Sequence, residues 1–301
     1  MVKALHQGVL IPEALALLAP QADKWYVDGT FGRGGHTQAV LETGAKVIAL
    51  DCDETAIAYG QSKFVPQITQ GKLKLVRSNF AKLSYLLDQQ SIKPTEVGGY
   101  LFDFGTSVDQ IKAEKRGFSF ENSQDPLDMR MDDRLGVKAS DLVKLLTARE
   151  LAEVLRIYGG EDRAWRIAKL VEHAKKTNPE LLETVGGLVS IIENAKPRKN
   201  SHLHVATKTF QALRIVVNDE LTAITDLVGQ LPKLAASGAV VVFISFHDGE
   251  DRIIKHQLTS WENQGLGEKL TKKPITPSET EVKSNIRSRS AKLRGFKFIR
   301  N

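Results

Sequence analysis

What most constrains this chain is a series of short apolar runs that end on acidic residues. Trp25-Tyr26-Val27 ends at Asp28 and Gly29. Lys46-Val47-Ile48-Ala49-Leu50 ends at Asp51. Gly98-Gly99-Tyr100-Leu101-Phe102 ends at Asp103, with Gly105 close behind. A fourth run, Lys74-Leu75-Val76, ends near Ser78-Asn79. Continuous apolar runs of this length are what parallel strands buried on both faces require, and ligands of such sheets gather at the carboxyl ends of the strands. The pattern predicts an α/β fold: a doubly wound, Rossmann-like sheet with its functional groups along one edge.

The rhythm changes after Gln110. Between about Ser140 and Asn194 the apolar residues fall at helical spacing: Leu142, Leu145 and Leu146, then Leu151, Val154 and Leu155, then Leu181, Val185, Leu188 and Ile192. No strand pattern interrupts them, so residues 111–204 read as a helical insertion, and residues 1–110 and 205–301 as the two parts of one discontinuous domain. A length of 301 residues accommodates that arrangement. The α/β rhythm then returns. Thr207 to Leu221 reads as a helix with Phe210, Leu213, Val217 and Leu221 on one face, Ala239 to Ile244 as a strong strand, and Phe296 to Ile299 as a last strand. Thr271 to Ser278 reads as an exposed loop.

Composition narrows the setting. No apolar run approaches the roughly 20 residues that span a bilayer. Met1 to Pro20 carries neither a secretory pattern nor an Arg-rich presequence pattern. Cys52 is the single cysteine, which excludes an intrachain disulfide and a cysteine-based zinc site. A cytoplasmic protein with no membrane segment and no metal is expected. The net charge of +6 is unevenly placed, because residues 282–301 hold seven basic side chains and no acidic one. Such an end attracts a phosphate backbone; the plainer reading is a solvated basic tail.

The first chemistry-bearing segment is Val27-Asp28-Gly29-Thr30-Phe31-Gly32-Arg33-Gly34-Gly35-His36-Thr37. Four glycines within seven residues, between a strand and a helix, let the backbone turn tightly and approach a ligand. Asp51, 23 residues beyond Asp28, closes the next strand, where a carboxylate can accept hydrogen bonds from both hydroxyls of a ribose. Asp53 is expected to cap the following helix. These features point to a nucleoside cofactor and leave NAD open, although the turn lacks the Gly-x-Gly-x-x-Gly spacing.

The segment Asp28 to His36 resembles the first motif of the MraW/RsmH family of ribosomal RNA (cytosine-N4) methyltransferases. Further segments agree in order: Arg116-Gly117-Phe118-Ser119-Phe120, Pro126-Leu127-Asp128-Met129-Arg130-Met131-Asp132, Ala206 to Ile215, and Arg287-Ser288-Arg289-Ser290-Ala291-Lys292-Leu293-Arg294. The resemblance covers nearly the whole chain. It implies a class I S-adenosylmethionine-dependent methyltransferase sheet with an inserted helical domain that recognises RNA. It implies S-adenosyl-L-methionine as cofactor and ribosomal RNA of the small subunit (16S) as partner, methylated on the exocyclic N4 of a cytidine. The cofactor contacts it implies are Gly34, Gly35, His36, Asp51, Phe80, Asp103 and Gln110, with Phe80 against adenine and Asp103 facing either the methionine amino group or the reacting site. Asp103 and His247 are the candidate catalytic residues. Oligomeric state stays open between monomer and homodimer.

Several positions depart from the family pattern. Val108 replaces a serine, Asp248-Gly249 replaces Ser-Leu, Gly160 replaces a glutamate and Ile286 replaces a proline. Val108 and the Asp248-Gly249 pair motivate an alternative, a relative that binds cofactor but acts as a ribosome assembly or scaffold factor. His36 reads as a cofactor contact ahead of a helix cap. His247, at the end of the strong strand, is open between proton acceptor, RNA contact and structural histidine. His202 and His204 read as loop histidines rather than metal ligands. Phe118 and Phe120 are expected to seat the insertion on the sheet rather than to stack on a flipped base. Asp128, Arg130 and Asp132 are expected to hold their loop by mutual charge pairing.

Overall fold

The computed structural model describes residues 8–107, 110–111, 115–196 and 204–299. Val108 and His202, named above, lie outside the described residues. The chain divides into two compact units, Met1–Gly105 with Leu221–Asn301, and Thr106–Glu220.

The first unit is built on a seven-stranded sheet of order β3-β2-β1-β4-β5-β7-β6. Its strands are β1 (Trp25–Asp28), β2 (Lys46–Asp51), β3 (Leu73–Arg77), β4 (Val97–Asp103), β5 (Val240–Ser245), β6 (Gly267–Lys269) and β7 (Lys292–Phe298). β1 to β5 run parallel, and β7 is antiparallel to both β5 and β6. Every residue of β5 is buried, as are four of the six in β2 and five of the seven in β4. That burial explains the unbroken apolar runs, because side chains on both faces enter a core. On one face Val27, Ile48, Tyr100, Phe102 and Phe243 pack against residues of α5 (Leu83–Gln89), α11 (Glu220–Leu234) and α12 (Asp248–Asn263). On the other, Tyr26, Val47, Leu101 and Val242 meet α1 (Ile11–Leu18), α2 (Gly35–Leu41) and α3 (Glu54–Lys63). The short α4 (Val65–Thr69) and α13 (Glu279–Ser284) complete this unit.

The second unit contains α6 (Ala139–Leu145), α7 (Ala148–Gly159), α8 (Ala164–Thr177), α9 (Val185–Ala195) and α10 (Thr207–Val217) around a core of its own. Thr147 and Glu150 form a reciprocal cap that starts α7. Glu161 is buried and charge-paired: Lys196 Nζ lies 2.5 Å from its Oε2, and the Thr209 hydroxyl donates to the same oxygen.

Phe118 and Phe120 pack against the helical unit's own core, with Phe120 edge-on to Phe210 and stacked on His204. One expectation is corrected here. The helix read as Thr207 to Leu221 is two helices. It stops at Val217, Asp219 takes a left-handed φ of 50°, and α11 begins at Glu220. α10 packs on α7, so this segment belongs with the helical unit and the chain re-enters the sheet unit only at Leu221. The Asp128–Arg130 loop is held as expected, by a two-pronged ion pair, while Arg130 also donates to the carbonyls of Asp133 and Leu135. Asp132 pairs likewise with Arg134.

Candidate active site

In the order β3-β2-β1-β4-β5 the direction of winding reverses between β1 and β4. That switch point leaves a crevice outside the carboxyl ends of the strands. The glycine turn after β1 borders it. Asp28 is buried there, where its carboxylate accepts from the Thr37 hydroxyl at 2.6 Å and from the Thr30 amide at 3.1 Å. Burial pushes its pKa up; the nearby His36 and these hydrogen bonds pull it back. Gly34 has φ 71°, and a Cβ there would lie 2.7 Å from the Phe31 ring. Gly35 opens α2 and lies so close to Gly8 that a Cβ would stand 2.9 Å from its nitrogen. Both positions therefore exclude any larger residue without local rearrangement.

The strand register sets the spacing. Asp28 lies opposite Ala49 on one side and Leu101 on the other, so Asp51 and Asp103 each stand two residues further along. They straddle the turn at one level. With neighbouring strands about 4.8 Å apart, their backbones are separated by roughly 10 Å. Thr30 sits between them, and its hydroxyl accepts from the Asp103 amide at 2.7 Å, tying the turn to the end of β4.

The two aspartates differ in their partners. Asp51 accepts from the Gly32 amide through Oδ2 and from the Asp53 amide through Oδ1, leaving a second lone pair on each oxygen. Burial raises its pKa to about 6. Asp53 caps α3 by accepting from the Thr55 amide, as expected. Asp103 Oδ1 is buried and accepts no hydrogen bond from the described residues; Oδ2 lies 3.9 Å from His36 Nδ1. Burial holds its pKa well above the usual carboxylate range, and the negative charges of Asp28, Glu250 and Glu281 add to the effect. His36 is buried, its Nε2 is 3.0 Å from the Val9 carbonyl, and burial lowers its pKa. Phe80 follows β3, partly buried beside Phe102 and Phe104 at ring-centre distances of 6.0 and 5.6 Å.

One buried and two partly buried carboxylates along one edge repel a pyrophosphate and attract a cation. The residues fit S-adenosylmethionine, whose sulfonium and ammonium are both cationic. Asp51 offers free lone pairs to a ribose, Phe80 an aromatic face to adenine, and Asp103 an acceptor without a partner.

His247 follows β5 and begins α12. Its Nδ1 lies within hydrogen-bonding distance of the amides of Gly249 and Glu250, so Nδ1 accepts and Nε2 carries the hydrogen, 3.2 Å from Glu250 Oε1. The fully buried Glu250 in turn accepts from the amides of Phe246 and His247. The departures in this segment have physical reasons. Asp248 pairs with Lys292 at 2.8 Å, and a Cβ at Gly249 would stand 3.0 Å from the His247 ring. Gly160 closes α7 in a left-handed conformation with φ 58°. Nothing in the structure explains Ile286. In the basic end, Arg294 is buried and pairs with Asp251 through two hydrogen bonds, so it and Lys292 are engaged within the protein. Gln110 lies in the helical unit, buried, where its Oε1 accepts from the Ser107 amide and its own amide donates to the Ser107 hydroxyl.

A model of the MraW methylase family matches residues 3–299. The chain belongs to that family. Among curated relatives of this MraW protein, the Ribosomal RNA small subunit methyltransferase H of Geotalea uraniireducens is 40% identical over 315 residues, covering 98% of each chain. The protein of the same name from Sorangium cellulosum is 39% identical, covering 98% of this chain and 91% of its own. The sheet of the MraW chain is that of a class I S-adenosylmethionine-dependent methyltransferase with a helical insertion. Reasoning from the sequence missed Thr30, Thr37 and Glu250. The two threonines lie inside or beside the glycine turn, where a hydroxyl near a strand end is a usable signal. Glu250 had no signal separating it from a solvated residue of a helical first turn.

Proposed function

We propose that this protein transfers a methyl group from S-adenosylmethionine to the exocyclic N4 of a cytidine in small-subunit ribosomal RNA, in the cytoplasm. The observation that carries the proposal is the pair Asp51 and Asp103, level with each other across the glycine turn, with one Asp103 oxygen buried and unpartnered. S-adenosylmethionine supplies an electrophilic methyl carbon on a positively charged sulfur that leaves as a neutral thioether. The chain's own residues bind, orient and exclude water. Asp51 holds the ribose, Phe80 packs against adenine, and Gly34, Gly35 and His36 form the wall of the turn. Cytosine N4 is a weak nucleophile because its lone pair is delocalised into the ring. Asp103, accepting a hydrogen bond from the amino group, favours the geometry that frees the lone pair and stabilises the charge that develops. His247 shapes the start of α12, because its Nδ1 is occupied and its Nε2 carries the hydrogen. The helical unit recognises RNA; exposed Arg149, Arg156, Arg163 and Arg166 and the half-exposed Trp165 suit a phosphate backbone and a base.

The test is mass mapping of methylated cytidine in small-subunit RNA from cells with and without this gene, together with transfer of labelled methyl by the purified protein. Asp103→Asn should lower kcat by about a hundredfold or more with cofactor affinity nearly unchanged. An affinity that collapses first would assign Asp103 to the methionine end instead. A wild-type protein that binds cofactor but methylates no small-subunit RNA would favour the scaffold reading.

A further inference from the structure

The Asp103 carboxyl lies beside a histidine whose other nitrogen is already committed. A carbonyl oxygen only accepts, so the 3.0 Å contact between His36 Nε2 and Val9 places the ring hydrogen on Nε2. Nδ1 then presents a bare lone pair to Asp103 Oδ2, 3.9 Å away. At 3.9 Å the two acceptors are not hydrogen-bonded, and they can close to hydrogen-bonding distance only with one proton between them. The groups around the pair fix its charge. Asp28 at the end of β1 faces His36 as well, while Asp28, Glu250 of α12 and Glu281 of α13 add negative charge around Asp103. The Thr30 hydroxyl, which receives the Asp103 amide, is neutral. The ring itself is fixed in place: Val9 holds one nitrogen, and a Cβ on Gly8 would stand 2.9 Å from the ring. The neighbouring Leu10 amide donates to Glu281 at 2.9 Å, which holds this segment to the C-terminal part of the unit.

We propose that His36 is the proton reservoir for Asp103: its Nδ1 receives, by way of the Asp103 carboxyl, the proton that the target amino group must lose. The proposal rests on the amino-methylation reading above. Methylation leaves N4 with one hydrogen too many. The N–H bond breaks and its electron pair stays on nitrogen, while an O–H bond forms at the unpartnered Asp103 Oδ1. The carboxyl, which already carries the shared proton on Oδ2, passes that proton to His36 Nδ1, leaving a neutral Asp103 carboxyl, protonated on Oδ1, beside an imidazolium. That cation keeps its Nε2 hydrogen on Val9 and is stabilised by the Asp28 charge. Burial moves the carboxyl up and the imidazole down, which narrows the difference between their proton affinities relative to the free groups. His36 acts through Asp103 and is a positioning residue; the same ring lies in the cofactor wall.

The first test is a 15N NMR titration of the full-length, histidine-labelled protein without RNA. His36 should show a bare Nδ1 at high pH that takes a proton on acidification. Asp103→Asn, which removes the anion beside it, should lower that midpoint by about one unit. A bare Nε2, or a midpoint indifferent to Asp103→Asn, would overturn the proposal. The second test is kinetic. His36→Gln can still donate to Val9 but cannot hold a proton. Its kcat at saturating cofactor should fall about tenfold or more, beyond any change in cofactor Kd, with the acid limb of the kcat–pH profile displaced. Parallel loss of Kd and kcat with an unmoved profile would make His36 a cofactor contact alone. A wild-type protein inactive on small-subunit RNA would sink the function reading, and the NMR titration would still decide whether the pair shares a proton.

Discussion

Lowering the pH from 7.5 to 5 should weaken cofactor binding through Asp51, and the structure sets how much. The carboxyl is raised from 3.8 to about 6, with burial the largest cause. It is ionised at pH 7.5, and about one molecule in ten is ionised at pH 5. Ribose hydroxyls donate to the ionised carboxylate, so each unit below 6 should cost up to about tenfold in affinity. The free protein should respond in the opposite direction. A folded-state value above the unfolded one contributes stability that is present below about pH 4 and lost as pH rises through about 6. The difference corresponds to about 3 kcal/mol at most. Asp28 and Asp103 are raised as well and tilt the same slope, so the informative quantity is the difference between wild type and Asp51→Asn. The variant should bind S-adenosylmethionine about tenfold or more weakly at pH 7.5, and both its affinity and its melting temperature should vary less between pH 5 and 7.5. Calorimetric titration and thermal melting at four pH values measure both. Asp51→Asn with the wild-type pH dependence, in a folded protein, would refute the reasoning.

Gly29→Ala should destabilise the sheet unit by about 1–3 kcal/mol or more, because the new Cβ would stand 2.2 Å from Phe102 Cδ1; thermal melting reads it, and an unchanged midpoint would mean the Phe102 ring moves freely. Arg294→Met should cost about 3–5 kcal/mol by leaving Asp251 without its two-pronged partner, yet leave the salt dependence of RNA binding unchanged; a reduced slope in filter binding would place Arg294 on phosphate.

The strands that lie in the middle of the sheet were legible because both of their faces are buried. β6 was not: Gly267–Lys269 is three residues long with only Gly267 buried, so it carries no apolar run. The last strand was read from Phe296, but pairing with β5 begins at Lys292, where two basic residues hid the pattern. Those same residues illustrate what charge spacing leaves undecided. Lys292 and Arg294 looked like part of a nucleic-acid contact, and their partners Asp248 and Asp251 lie more than forty positions earlier, out of reach of any local pattern. Asp28, Asp51 and Asp103 were found because strand ends mark them. The pairing of Asp103 with His36 depends on how α2 is rotated about its axis, which periodicity in a seven-residue helix does not specify.

β4 and β5 are neighbours at the centre of the sheet, yet the whole of Thr106–Glu220 is synthesised between them. At a ribosomal pace of 5–20 residues per second, roughly ten to thirty seconds pass after β4 emerges before its second edge can pair. During that interval the nascent chain presents a bare strand rich in apolar side chains, Val97 to Phe102, which is a template for unwanted association. The intervening helices have a core of their own and can fold while β4 waits. Slow-codon or chaperone-depletion experiments on this protein should therefore act through the period between β4 and β5 rather than through the termini.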